Sequence, residues 1–184
     1  MASSDDLEAV TAALGVTSIS ETNAESSDSW SLFPTLHDQV SAKLAEDDLT
    51  FTFNETDDDE TWLKAYDTRI MGRFRCDNSG CPTDGWASKM VAIMIRMYTD
   101  DQYNVRVFHQ RCKDCNSLSR PSLNERTYVE RVAYRLKKWK GLRQKRPPWN
   151  PRITDPHKGE LCEGCQNGIC ARMMASGKVI DHEE

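Results

Sequence analysis

Seven cysteines in three short clusters constrain this chain more than any other feature of its 184 residues. The clusters are Cys76-x4-Cys81, Cys112-x2-Cys115 and Cys162-x2-Cys165-x4-Cys170, with His157 five positions ahead of the last. An odd cysteine count leaves one thiol unpaired in any disulfide framework. Thiols grouped at two-residue spacing in a reducing compartment serve more often as metal ligands. Structural zinc takes four ligands in a tetrahedron. Cys76, Cys81, Cys112, Cys115, His157, Cys162, Cys165 and Cys170 therefore fill two sites, and two Zn2+ per chain are expected. The other readings are a redox CxxC, which would sit beside a βαβ pattern that is lacking here, a lone Cys170 thiol and a loop histidine at 157.

The intervening sequence suggests how the ligands divide. Residues 87–98 form an apolar, β-branched run. Residues 103–111 alternate, with Tyr103, Val105 and Val107 on one face, and Thr99–Gln102 is a polar break. Two strands around such a break read as a β-hairpin. A hairpin returns its ends to one place, so Cys76 and Cys81 should face Cys112 and Cys115 in a four-cysteine site of zinc-ribbon type. His157, Cys162, Cys165 and Cys170 would then form a local site of three cysteines and one histidine. A partition that shares ligands between the clusters stays open.

Residues 128–140 predict a helix, with Val129, Val132, Ala133, Leu136 and Trp139 in an apolar stripe. Thr127 and Glu130 match a capping box, and Gly141 suits the C-terminal cap. Residues 33–45 predict a short amphipathic helix entered through Pro34, followed by strand-like alternation at Leu49, Phe51 and Phe53. Asp57–Glu60 reads as a solvated acidic loop. His109 is expected to pack inside, and His37 and His182 to face solvent. The expected fold is α+β: a small zinc-ribbon-like domain of one hairpin, one helix and two structural zinc sites, behind a disordered acidic N-terminal arm. The boundaries are a disordered arm at 1–32, a short helix, strand and acidic linker at 33–64, the zinc-binding domain at 65–172 and a flexible tail at 173–184. One hairpin and one helix make a small core, so zinc is expected to supply much of the folding energy.

Charge is unevenly divided. Residues 1–60 hold 15 Asp or Glu against Lys43 alone, whereas residues 61–184 carry a net charge of +9. Low apolar content with high charge keeps residues 1–30 from burying enough surface to fold. No apolar run is long enough to cross a bilayer, and MASSDDLEAV has neither the basic nor the apolar region of a signal peptide. A cytoplasmic or nuclear protein without a membrane anchor is expected.

The stretches RFRC, GWASKMVAIMIRMY, YNVRVFHQRCKDC, TYVERVAYRLKKWKG and PHKGELCEGCQNGIC resemble the three-CxxC zinc-finger domain. That domain occurs in animal receptor-transporting proteins, zygote-arrest proteins and many fungal proteins, the fungal ones being the most alike. The likeness spans roughly residues 65–172, and its first pair is widened here to CxxxxC. It implies zinc binding, and RNA binding in some members.

Two functions follow. Residues 131–152 hold nine Lys or Arg and no acid, interleaved with Tyr134, Trp139 and Trp149. Cations that track phosphates beside stacking rings suit single-stranded nucleic acid, RNA before DNA. Arg135, Lys137, Lys138, Lys140, Arg143, Lys145 and Arg146 are the candidate contacts. The alternative is a protein-interaction or trafficking adaptor that recruits a partner through the N-terminal arm. Eight ligands for two metals leave no open coordination position, and no deaminase, nucleophile-elbow or P-loop signature is present, so an enzyme is not expected.

Overall fold

The computed structural model describes residues 29–145, 147, 158–176 and 180–181. The acidic segment 1–28, His157, Arg146 and His182 lie outside the described residues. The fold is α+β and mostly strand. Strand β1 (Trp30–Ser31) leads through a 3-10 turn at Pro34–Leu36 into helix α1 (His37–Ala45), then β2 (Thr52–Phe53), β3 (Lys64–Arg75), β4 (Gly85–Met97) and β5 (Gln102–Phe108). Short strands β6 (Gln110–Arg111), β7 (Leu118–Ser119) and β8 (Pro121–Leu123) precede helix α2 (Glu125–Trp139). Helices α3 (Glu163–Gln166) and α4 (Ile169–Ser176) and strand β9 (Ile180–Asp181) follow.

The sheet runs β1-β5-β4-β3-β8, with β2 also on β5 and β9 also on β3. The expected hairpin is present: β4 and β5 pair antiparallel from Ile93–Val107 to Met97–Tyr103. Its turn sets Asp100 and Asp101 both at φ 54°, the left-handed region that short polar residues tolerate best after glycine. The long strand β3 lies inside the sheet, between β4 and β8, and no sequence pattern marks it. KAYDTRIMGRFR mixes charges into both faces, so its alternation is blurred, yet it pairs with eleven positions of β4.

One face of the sheet packs on α1 and α2. Leu36, Val40 and Leu44 meet Tyr128, Val132, Ala133 and Leu136 over Ile70, Phe74, Val91, Ile93, Ile95 and Val105. This core is larger than the hairpin and helix expected from sequence. Each buried Leu, Ile, Val or Phe among these contributes about 1.5–3 kcal/mol, so the core adds cohesion of its own beside that expected from zinc.

Helix α2 begins three residues before the expected start. Asn124, not Thr127, caps it: the Asn124 side chain accepts from the Thr127 amide at 3.0 Å. The far end closes as expected, with Gly141 at φ 81° and amides 141 and 142 bonded to the carbonyls of Lys138 and Lys137.

Asp57–Glu60 is not simply a solvated loop. Asp57 pairs with Arg96 and with Arg106 (2.9 Å), which stand on neighbouring strands, and Asp59 reaches the same two guanidiniums. Arg96 is completely buried and needs these counter-charges. His109 is buried, as expected, with Nε2 2.7 Å from Ser31 Oγ. His37 is half-buried against Tyr103 and Phe53 rather than facing solvent. Trp30–Ser31 already pairs with β5, inside the range assigned to the arm, and α4 runs past the residue-172 boundary to Ser176.

Candidate metal centres

The first centre forms where two sheet loops meet. Cys76 follows β3, Cys81 precedes β4, and Cys112 and Cys115 follow β6. Their four sulfurs all lie within 4.8 Å of one another. Cys76 Sγ is 3.4 Å from Cys115 Sγ, and Cys81 Sγ is 3.7 Å from Cys112 Sγ. A disulfide would need about 2.05 Å. Zn–S bonds of about 2.3 Å set tetrahedral edges of about 3.8 Å, so this donor set fits zinc. The widened Cys76–Cys81 loop closes through local bonds: the Cys81 amide to the Asn78 carbonyl, and the Gly80 amide to Asn78 Oδ1, both at 3.0 Å.

Thiolates, not thiols, bind metal. Ser117 Oγ, 3.2 Å from Cys115 Sγ, pulls the Cys115 thiol down to about 6. Amides of the knuckle lower Cys112 in the same way. Desolvation pushes Cys76 up to about 12. The metal-free centre therefore holds Cys115 ready as a thiolate while Cys76 keeps its proton.

The second centre gathers Cys162, Cys165 and Cys170, whose sulfurs also lie within 4.8 Å. Cys162 and Cys170 are buried with Ile169, Ala92 and Phe108 on the sheet face opposite α1 and α2. Their sulfurs are 3.9 Å apart, and that contact, together with burial, raises the Cys170 thiol. Three thiolates leave one place in a tetrahedron; His157, the expected fourth ligand, is outside the described residues. The clusters thus divide as the hairpin argument expected, with the four cysteines of the first centre together and the last three apart from them. The two clusters are consistent with two zinc ions per chain.

Two residues between Cys162 and Cys165 carry structural roles that the ligand spacing does not announce. Gly164 passes so close to the sheet that a Cβ there would meet Ala92 Cβ at 2.5 Å. Glu163 is buried and accepts from Arg111 Nε at 2.6 Å and from Ser29 Oγ at 2.7 Å. The Glu163 amide bonds the His109 carbonyl, and Gln110 pairs with Cys162. The second centre is thereby pinned to the strand that supplies the first. The glycine inside CEGC was the available sequence signal.

The candidate nucleic-acid contacts are not presented together. Arg135 is buried with its guanidinium 3.2 Å from the centre of the Tyr66 ring. Lys137 is buried on Asp47 at 2.5 Å, and Lys140 pairs with Asp101 at 2.5 Å. Lys138, Arg143 and Lys145 are exposed. Arg146 is outside the described residues.

A family model described as a zinc-binding domain, of the three-CxxC zinc-ribbon kind, matches residues 69–168. Receptor-transporting protein 1 of Mus musculus is 28% identical over 136 residues, covering 66% of this chain and 50% of its own length. The chain thus spans about half the length of that curated relative. No solved structure matches the chain. Among the described residues, no helix is long and apolar enough to cross a membrane.

Proposed function

The chain belongs to the three-CxxC zinc-binding family, and on that premise we propose that it is a non-catalytic module whose zinc-held surface binds a partner protein. The observation that carries this reading is the way both cysteine clusters fasten to one sheet. The first centre offers four cysteine sulfurs, so a zinc ion held there would keep no position for water or substrate. The second packs against Ala92 and Phe108 and is locked to Arg111 through Glu163. Such centres fix the backbone around them, and a fixed backbone lowers the entropic cost of docking. The mouse relative carries the name receptor-transporting protein, and a receptor-directed role is a protein-directed one.

Nucleic-acid binding is the second reading, favoured by exposed Lys138, Arg143 and Lys145 at the end of α2. It is the weaker one, because Arg135 and Lys137 serve Tyr66 and Asp47 inside the fold. The two readings separate in one experiment. The zinc-loaded chain and a Cys112→Ser/Cys115→Ser variant are used as bait, with and without nuclease, and each captured protein is tested in reciprocal capture. Specific partners that depend on the cysteines and survive nuclease are expected. Capture abolished by nuclease, with single-stranded RNA bound directly and a steep salt slope, would overturn the protein-binding reading.

A further inference from the structure

Between the two metal centres the sheet opens. After the Ile93–Val107 pair, β5 leaves β4, and among the described residues no strand pairs with Gly85–Met90 on the side away from β3. Gln110 spans the apex of the gap. Its Nε2 donates to Ser88 Oγ and to the Met90 carbonyl, and its Oε1 accepts from Trp86 Nε1 at 3.0 Å. Beside it lies a groove of about 880 Å³, lined by residues 83–90, by Met71 and Gly72 of β3, and by Gln110, Lys113, Lys158 and Leu161. That size lies within the ordinary range of ligand sites.

Three features define the occupant. Met90 is already satisfied, its amide by Ser88 Oγ and its carbonyl by Gln110, and the register shifts between Ser88 and Val91. Ahead of that irregularity Gly85–Ser88 offers main-chain donors and acceptors at strand spacing, which an extended peptide matches and a nucleic-acid backbone does not. Trp86, Met90 and Leu161 give the groove an apolar lining. Lys89, Lys113 and Lys158 line it with ammonium groups for which no carboxylate partner exists among the described residues, against one rim acid, Asp84. The aromatic ring in the groove is already engaged: Trp86 is stacked on Phe74 at 5.2 Å, and its N–H is held by Gln110. It is poorly placed to act as a base-stacking platform.

We propose that this groove receives an extended acidic segment of a partner protein, which adds as a strand along Gly85–Ser88 with its carboxylates on Lys89, Lys113 and Lys158. This names the docking surface of the protein-binding role and rests on that reading.

The test uses the full zinc-loaded chain and a short fluorescein-labelled peptide alternating Glu with Val. Binding is expected to weaken at least about tenfold, some 1.4 kcal/mol, in Lys89→Glu/Lys113→Glu. It should weaken likewise for the same peptide with Gln in place of Glu, and for one N-methylated at alternate residues. These last two change only the probe, so misfolding of a variant cannot mimic them. Equal binding by the Gln or N-methylated peptide would overturn the proposal. So would binding of single-stranded RNA, but not the peptide, with loss in Lys89→Glu/Lys113→Glu. If the peptide binds only when Asp5, Asp6, Glu8, Glu21, Glu25 and Asp28 are neutralised, the groove belongs to the chain's own acidic segment and the partner assignment fails. Failure here, with cysteine-dependent capture of partners intact, would remove the groove and leave the protein-binding role standing.

Discussion

Arg111 Nε lies 2.6 Å from Glu163 Oε1, so the residue before Cys112 grips the residue after Cys162. Glu163 also takes Ser29 Oγ, so one buried carboxylate ties the first strand and both cysteine clusters together. Glu163→Ala is expected to cost about 2 kcal/mol, the range for losing charged hydrogen bonds at a buried group. It should also weaken the second zinc more than the first. Urea unfolding and competition with a graded chelator measure the two effects; equal loss at both sites would argue against the link.

Gly164→Ala places a methyl group where Ala92 already sits, 2.5 Å away. Overpacking of this kind costs about 1–3 kcal/mol. Ala92→Gly removes the obstructing carbon, so the double variant should be more stable than the sum of the single effects indicates. Thermal unfolding of the four proteins in the cycle tests this, and strict additivity would contradict the close approach.

Asp57→Asn should destabilise the domain by about 3 kcal/mol, the scale on which breaking one side of a buried ion pair leaves an uncompensated charge. The charge at stake is Arg96, whose guanidinium is fully buried and whose pKa burial lowers to about 10. Urea midpoints with an unchanged slope would register it. A shift close to zero would mean that Asp59 and Asn104 suffice for Arg96.

Zinc binding at the first centre should release protons near neutral pH. In the metal-free fold Cys76 holds its proton up to about 12 and Cys115 loses its own near 6. At pH 7 Cys76 must therefore give up a proton on binding, while Cys115 is already a thiolate. Zinc affinity then rises with pH through neutrality, and its slope steepens below about 6, where Cys115 is protonated too. Calorimetry in buffers of different ionisation heat counts the protons; a pH-independent affinity would contradict this thiol assignment.

Chelation should loosen the metal knuckles before the sheet. Amides at 76–84, 112–117 and 158–176 are expected to exchange quickly without zinc, while β4, β5 and α2 stay protected by the core under α1 and α2. Hydrogen exchange with and without chelator decides the matter. Collapse of β4 and β5 protection would instead support the expectation, drawn from sequence, that zinc supplies much of the folding energy.

Features encoded at short range were legible. The β4–β5 hairpin, α2 with its Gly141 cap and the pairing of Cys76 and Cys81 with Cys112 and Cys115 all follow from local pattern and from chain return. The start of α2 is not legible in this way, because Asn124 and Thr127 both offer capping oxygens and the pairing of β8 with β3 favours the earlier one.

Strand β3, the Asp57–Arg96–Arg106 cluster and the Arg111–Glu163 clamp were not legible. Asp57 is 39 residues from Arg96, and Glu163 is 52 from Arg111. A charge in a sequence reads as solvated unless its counter-charge is adjacent, and nothing local announces a partner that far away. The same holds for Arg135 and Lys137, which composition groups with exposed cations and the fold turns inward.

The sequence by itself determined that the cysteines act as two groups, because ligand spacing and the return of a hairpin are local geometry. Only the tertiary structure decided which cations stay free, which glycine must lack a side chain and where the sheet keeps an open edge. Those outcomes depend on which distant surfaces come into contact once the core has closed.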